Sequence, residues 1–389
     1  MEVFGEFSDS FIPIMDGVGM VTRNYAFWLN KKYGRAYVVT VSFPGYKDSK
    51  NEPFEILRCP SFTIPKMSPY RMAIPNMKFK KIISSVPFNI IHSHSPFFTG
   101  GIALKIAREK NIPIIATFHS KYRDDFERFL PFKWLRTIAM QKLINYYNAV
   151  DHVWVPNKAT INTLREYGFR GNIEVMYNGT DLTVPNNQEE YIHKGQEIMN
   201  VTDNDFVLLY IGQHRWEKNL KLMIEALRIV MNKGKQFKLI LVGQGYAEKD
   251  IKQMVINYKM NKVVSMLGVI RDRDLIKALY SRANLFLFPS LYDTSPLTIR
   301  EAAAFNKPTI FIKDASAAEG IEDGKNGFLT ENNPENYAAK LIYIMEHPKL
   351  IKKIGRGAKE FLYRTWEQVS DKVYERYIEI IDEYNSKHR

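Results

Sequence analysis

The stretch from Pro289 to Phe305, PSLYDTSPLTIREAAAF, follows an apolar run directly and carries the clearest chemical pattern in the chain. It reads as a strand, a loop and a helix. Ser295 suits the N-cap and Pro296 the first helical position, which leaves the amides of Leu297 and Thr298 without intrahelical partners at the positive end of the helix dipole. Such an end attracts phosphate. Glu301 lies about 8 Å beyond Pro296 along the axis at 1.5 Å per residue, and Asp293 sits in the loop before the cap. Carboxylates repel phosphate but accept from hydroxyls, so a ligand with phosphate between two polyols fits the pair, and a nucleotide sugar has that form. The competing reading makes Asp293 a capping residue and Glu301 a solvated helix residue.

Other loops add candidates. In FSDSFIPIMDGVGMVTRNY, Gly17 and Gly19 lie between a strand and a helix, where glycine permits close backbone approach to an anion, although Asp16-Gly17 is also an ordinary turn. Neither this loop nor Gly243-Gln244-Gly245 completes the GxGxxG dinucleotide fingerprint, which disfavours a nicotinamide enzyme. In YIGQHRWEKNL, Arg215 and Lys218 follow a strand that ends at Ile211, and Lys218 offers a point charge to a diphosphate; otherwise both are exposed cations at a helix start. His119 ends the run IPIIATFH, at the strand edge where ligands bind in parallel sheets. His92 and His94, in IIHSH, have no carboxylate or cysteine at metal-ligand spacing, so they read as structural and no metal site is expected.

Short β-rich runs alternate with amphipathic stretches, the pattern of an α/β protein with parallel sheets and crossover helices. The first series of strands comprises Glu2 to Phe7, Tyr37 to Val41, Asn89 to His94, Pro113 to Phe118, His152 to Pro156 and Ile173 to Tyr177. The polar stretch Leu182 to Asn200 reads as an interdomain connection. A second series follows at Phe206 to Ile211, Phe237 to Val242, Val263 to Leu267, Asn284 to Phe288 and Thr309 to Ile312. Two doubly wound domains, residues 1–185 and 200–368, are the economical arrangement, with a ligand cleft between the carboxyl ends of their sheets. Trp366 to Tyr384 is strongly amphipathic and must pack on another element.

The 389 residues are 45% hydrophobic and 25% charged, as in a folded globular protein, with a net charge of +13. Basicity concentrates early: Met1 to Asp181 holds 24 basic and 15 acidic residues, a net +9. No acid occurs from Ile56 to Arg108, where Arg58, Lys66, Arg71, Lys78, Lys80, Lys81, Lys105 and Arg108 fall. The segment MSPYRMAIPNMKFKKIISS mixes cations with apolar groups, as does Pro131 to Tyr147, where Leu135, Ile138, Ala139, Leu143 and Tyr146 recur at helical spacing. An anionic membrane surface is the favoured partner, against a soluble surface with an inward apolar stripe. No zinc-finger, RNP or basic-zipper pattern accompanies the charge, so nucleic acid is not expected. With one cysteine, Cys59, no leader-like start and no spanning apolar run, a cytoplasmic location is expected.

The motifs DSFIPIMDGV, IIHSHSPF, ATFHSKY, VMYNGTDL, IGQHRWEKN, LVGQG, LGVIRDRDLIKALY and FPSLYDTSPLTIREAAA, in that order, resemble the retaining GT-B-type glycosyltransferases, particularly the bacterial branch containing diacylglycerol glucosyltransferases. The resemblance implies a GT-B fold of two Rossmann-like domains, with the final helix, about residues 370–389, crossing back onto the first. It implies a nucleoside diphosphate sugar as donor, UDP-glucose first, a membrane lipid such as diacylglycerol as acceptor, and no metal or other cofactor. Glu301 matches the family's ribose-binding acid, and Asp293 stands where the family has Glu near the donor sugar. Lys218 matches the diphosphate-binding lysine, while Gln213 replaces the arginine that usually follows the glycine, with Arg215 nearby. The resemblance also puts the Gly17 amide and those beside Pro296 on phosphate, and His119 beside the sugar. Transfer to a surface polysaccharide or a lipid-linked oligosaccharide is the nearest rival, and a non-catalytic nucleotide-sugar-binding protein is the rival of another class.

Overall fold

The computed structural model describes residues 1–14, 16–49, 51–63 and 69–388; Lys66, Met67 and Ser68 of the basic segment lie outside the described residues. The chain divides into two compact units, Met1–Asn178 with Trp366–Arg389, and Gly179–Thr365.

The first unit carries β1 (Glu2–Phe7), β2 (Gly34–Val41), β3 (Glu55–Cys59), β4 (Ser61–Thr63), β5 (Arg71–Ala73), β6 (Ile90–Ser93), β7 (Ile114–Thr117), β8 (His152–Val155) and β9 (Glu174–Val175). Seven of them form one parallel sheet in the order β3-β2-β1-β6-β7-β8-β9, and β4 and β5 form a separate antiparallel pair. The second unit carries β10 (Val207–Ile211), β11 (Lys238–Val242), β12 (Val264–Gly268), β13 (Leu285–Phe288), β14 (Thr309–Ile312) and β15 (Phe328–Thr330). Its parallel sheet runs β12-β11-β10-β13-β14-β15, the doubly wound order in which strand progression reverses between the first and fourth strands. Helices cover both faces of such a sheet, so its inner strands β13 (LFLF) and β14 (TIFI) are buried at every position and apolar except for Thr309.

The C-terminal helix, Trp366–Lys387, belongs to the first unit because its apolar stripe is used there. Trp366, Val369, Val373, Tyr377 and Ile380 are buried, and Tyr374 stacks on Tyr33 at 3.8 Å between ring centroids. Lys32 and Tyr33 both bond to Asp371, which fixes the helix to the end of Gly17–Lys32.

Several boundaries depart from the expectations. Leu182 to Asn200 is not a bare connection, because Gln188–Met199 is a helix with Glu189 and Glu190 favourably placed in its first turn. Its Gly195 lies so close to the helix Arg273–Arg282 that a Cβ would come within 2.4 Å of the Ala278 carbonyl. The polar composition of this stretch describes its outer face only, and the units divide at 178/179 and 365/366 instead of at 185, 200 and 368. The strands β3, β4, β5 and β15 are absent from the expected series; β3 and β15 lie at sheet edges, β4 and β5 form the separate pair, and Glu55 and Arg58 leave EILRC no continuous apolar run.

Candidate active site

In the second unit, neighbouring strands bring distant residues together. β10 and β13 pair in parallel, with Leu208 opposite Leu285, so the loops beyond Ile211 and Phe288 leave the same edge side by side. One ends in the short turn Trp216–Lys218 and the other carries Asp293. Asn219 locks the two loops: its left-handed backbone, φ 59°, ends the turn, and its Nδ2 donates to the Pro289 carbonyl at 3.1 Å and to Asn332 Oδ1 at 2.9 Å. Ser290 Oγ accepts from the Asp293 amide at 3.3 Å. Lys218 Nζ consequently forms an ion pair with Asp293 and lies 5.1 Å from the centre of the Tyr292 ring. Arg215, just before the turn, is half-buried and donates to Gln213 Oε1 at 3.1 Å.

The helix after Asp293 runs Leu297–Ala304 and so begins one residue later than expected. Pro296 is the N-cap, not the first helical residue: its φ of −66° would suit a helix, but its ψ of 139° is extended. Ser295 therefore precedes the cap, the N-cap Pro296 offers no side-chain bond, and the first amides, those of Leu297 and Thr298, are the ones a helix leaves without internal partners. Glu301 is not a solvated helix residue. It is buried, and its two oxygens accept from Arg273 Nη2 at 2.8 Å and from the Tyr280 hydroxyl at 3.0 Å. Arg273 also binds Asp181 through both Nε and Nη2. Neither Tyr280 nor Arg273 had been singled out, though both lie in LGVIRDRDLIKALY.

The glycine loops separate into two kinds. Gly243 has φ +132°, and a Cβ there would come within 1.9 Å of the Gly212 carbonyl, so that glycine serves a close crossing of two chain segments. A Cβ on Gly17 would meet nothing within 4 Å. The helix that Gly17 begins is capped by Asp16, whose Oδ1 accepts from the Gly19 amide at 2.9 Å.

The first unit holds a second polar cluster, at the reversal point of its own sheet. Glu6 on β1 is in register with His92 on β6, and period-two alternation puts His94 on the same face. Glu6 Oε2 lies 2.7 Å from His94 Nε2, and His94 Nδ1 lies 3.1 Å from His119 Nε2. Tyr377 donates to Glu6 Oε1 at 3.0 Å and also contacts His92 Nδ1, while His92 Nε2 meets Thr117 Oγ1 at 2.6 Å. All of these groups are buried. Burial pushes the Glu6 carboxyl up to about 8, holds His94 down at about 3, and lowers His92 and His119 well below the ordinary imidazole range. Glu6, His92 and His94 have the composition of a metal site, but 2.7 Å between ligand atoms is shorter than the roughly 3.3 Å that tetrahedral zinc bonds of 2.0–2.1 Å impose. The spacing is that of hydrogen bonds.

Two sequence families match the chain: "Glycosyltransferase Family 4" over residues 15–184 and "Glycosyl transferases group 1" over residues 194–361. The chain belongs to this glycosyltransferase family. It is 24% identical to the alpha-monoglucosyldiacylglycerol synthase of Acholeplasma laidlawii over 98% of both chains. In fold it resembles sucrose-phosphate synthase from Thermosynechococcus elongatus, with a TM-score of 0.80 at 19% identity over 98% of this chain and all of that one. The structure of Anabaena HepE in complex with UDP-glucose aligns with a TM-score of 0.75 at 16% identity, over 97% and 99% of the two chains. The fold class of this glycosyltransferase is thus GT-B, with two Rossmann-like parallel-sheet domains.

Its basic segments are only partly used by the core. In the helix Met77–Ser85, Phe79 and Ile83 are buried, whereas Met77 is 79% exposed and Ile82 40% exposed; Met77, Lys78, Lys80, Lys81 and Ser84 line a shallow hollow. In the helix Lys133–Ala149 the competing reading, an inward stripe, holds at Leu143 and Tyr146 but fails at Ile138, which is 46% exposed beside exposed Phe132 and Trp134. Among the described residues no helix is long and apolar enough to cross a membrane.

The Glu6 carboxyl sets a pH dependence. Between its ordinary value of 4.5 and about 8, the native carboxyl keeps a proton that the unfolded chain releases, so stability falls as pH rises through that window. Asp9 acts in the same sense only up to about 6, while the lowered histidines and Lys307 act in the opposite sense, because the unfolded chain still holds protons that the native chain has released. Glu6→Gln removes the falling contribution alone, so in urea unfolding at pH 6.5 and pH 8 the variant is expected to gain more stability, or lose less, at the higher pH than the wild type does. An equal change with pH in the two proteins would contradict a raised Glu6 carboxyl.

Proposed function

We propose that the protein transfers glucose from UDP-glucose to a membrane lipid acceptor such as diacylglycerol, with retention of the anomeric configuration. The observation that carries the reading is the convergence of Lys218, Asp293 and the helix start at Leu297 at the reversal point of the second sheet, the edge at which doubly wound sheets bind nucleotides. In this reading Lys218 exchanges Asp293 for the diphosphate, and Arg215 and the amides of Leu297 and Thr298 add donors to it. Ser295 and Pro296 shape the loop that presents those amides, and Gly17, with open space where a Cβ would stand, is read as offering its amide to a phosphate. Glu301, held in place by Arg273 and Tyr280, keeps lone pairs for a ribose hydroxyl.

Chemistry then rests on positioning and charge. As the sugar becomes oxocarbenium-like, negative charge grows on the leaving diphosphate, and Lys218 and fixed amide dipoles stabilise it without reorganising. Those groups supply the charge that a cation would otherwise provide, so the reading assigns no metal or other cofactor. Asp293 and His119 are read beside the donor sugar. The Acholeplasma relative's name specifies an α-linked glucose, the configuration that glucose already has in UDP-glucose, which supports retention. Exposed Met77, Ile82, Phe132, Trp134 and Ile138 among lysines support a lipid acceptor met at an anionic surface, with the protein peripheral on the cytoplasmic face of the membrane.

Lys218→Ala should lower kcat/KM for transfer from UDP-glucose by about 100-fold or more, the scale of losing one charge-stabilising donor, and Glu301→Ala by about 10-fold or more, the scale of losing a charged acceptor for the ribose hydroxyl. Gly17→Ala, whose new methyl meets no protein atom within 4 Å, should leave the melting temperature unchanged while raising the donor KM. Rates like the wild type in both Lys218→Ala and Glu301→Ala would remove the site from the second unit.

Sedimentation with vesicles separates the acceptor readings. Binding to vesicles containing anionic phospholipid, weakened by salt and absent with neutral vesicles, is expected. Equal indifference to both vesicle types would favour a polysaccharide or another acceptor away from the membrane.

A further inference from the structure

We propose that Glu6 decides which ring nitrogen of His119 carries the proton, acting through His94. The inference rests on the reading of His119 as a residue beside the donor sugar, and Glu6 and His94 are positioning residues in it. Its basis is a continuous chain of contacts, from Glu6 Oε2 to His94 Nε2 at 2.7 Å and from His94 Nδ1 to His119 Nε2 at 3.1 Å.

A neutral imidazole has one donor and one acceptor nitrogen, so two neutral imidazoles in series have only two possible polarities. Both rings are buried and held neutral. When Glu6 is protonated, Tyr377 donates to Oε1 and thereby places the carboxyl proton on Oε2, facing His94. His94 Nε2 then accepts, its Nδ1 donates to His119 Nε2, and His119 carries its own proton on Nδ1. When Glu6 is ionised, every bond in the chain reverses: His94 Nε2 donates to the carboxylate, His94 Nδ1 accepts from His119 Nε2, and His119 Nδ1 becomes an acceptor. One proton on β1 therefore converts His119 Nδ1 between donor and acceptor. His92 stands outside this switch: with the Tyr377 proton on Glu6, His92 Nδ1 donates to the Tyr377 oxygen and its Nε2 accepts from Thr117 Oγ1 in both states.

The groups facing Glu6 are His92 and His94 from β6, Tyr25 from the helix Gly17–Lys32 and Tyr377 from the C-terminal helix. Burial raises both phenols far above neutrality and keeps both imidazoles uncharged, so Glu6 is the member of this set that titrates between pH 6.5 and 9. At pH 6.5 the protonated polarity prevails, and His119 Nδ1 is a hydrogen-bond donor.

The test is a long-range proton–nitrogen correlation spectrum of the full chain with nitrogen-15 in its histidine rings, recorded at pH 6.5 and pH 9. In the wild type, His119 is expected to change from the Nδ1–H to the Nε2–H tautomer. Glu6→Gln is expected to hold Nδ1–H at both, because Tyr377 bonded to the amide oxygen turns the NH2 group toward His94. The same His119 tautomer at both pH values in the wild type would overturn the proposal, as would an identical change in Glu6→Gln; the wild-type comparison needs no variant to fold. Transfer from UDP-glucose by His119→Ala tests the underlying reading separately: a wild-type rate would remove His119 from the donor site and leave the tautomer switch standing.

Discussion

A parallel sheet forces every strand to end at the same edge, and where strand order reverses, two loops that are far apart in sequence leave that edge as neighbours. The chemistry of both units depends on this constraint. In the second unit the pairing of β10 with β13 brings together Lys218 and Asp293. In the first, the pairing of β1 with β6 sets Glu6 against His92 and His94, and β7 on the far side of β6 delivers His119. The Glu6 cluster follows from strand order and the alternation of side chains along a strand, whereas the Lys218 cluster also needs the left-handed backbone of Asn219, which locks its two loops together.

The two clusters treat charge in opposite ways. Lys218 with Asp293 and Arg273 with Glu301 are paired as salt bridges, and all but Glu301 are partly open to water, an arrangement that can exchange one anion for another. Under the C-terminal helix, Tyr377 and Trp154 shut water away from Glu6 and its histidines, and desolvation makes neutrality cheaper than charge. A polar network kept neutral transmits hydrogen-bond polarity instead of charge. The C-terminal helix thereby does more than cover apolar surface, since Tyr377 is a member of the network it encloses.

The alternation of apolar runs and amphipathic stretches was enough to find both sheets, and the loop after Phe288 was recognisable by its cap, proline and spaced carboxylates. What escaped was information carried by long separations. Glu6 and His94 are 88 residues apart, so His92 and His94 looked unaccompanied although their carboxylate lies one strand away. A solvated Glu301 stayed open as the competing reading because its partners Arg273 and Tyr280 come from another helix. The start of the helix at Leu297 was misplaced by one residue because proline fixes φ but leaves ψ free. The helix Gln188–Met199 was hidden by a polar outer face, with Gly195 and Met199 marking the side that packs.

The most direct test of the account is a thermal-shift titration of the wild-type protein with a panel of nucleoside diphosphate sugars, because a ligand bound only by the folded state raises its melting temperature with concentration. The account predicts a saturable rise with UDP-glucose, larger than with other donors. No rise with any nucleoside diphosphate sugar would contradict it.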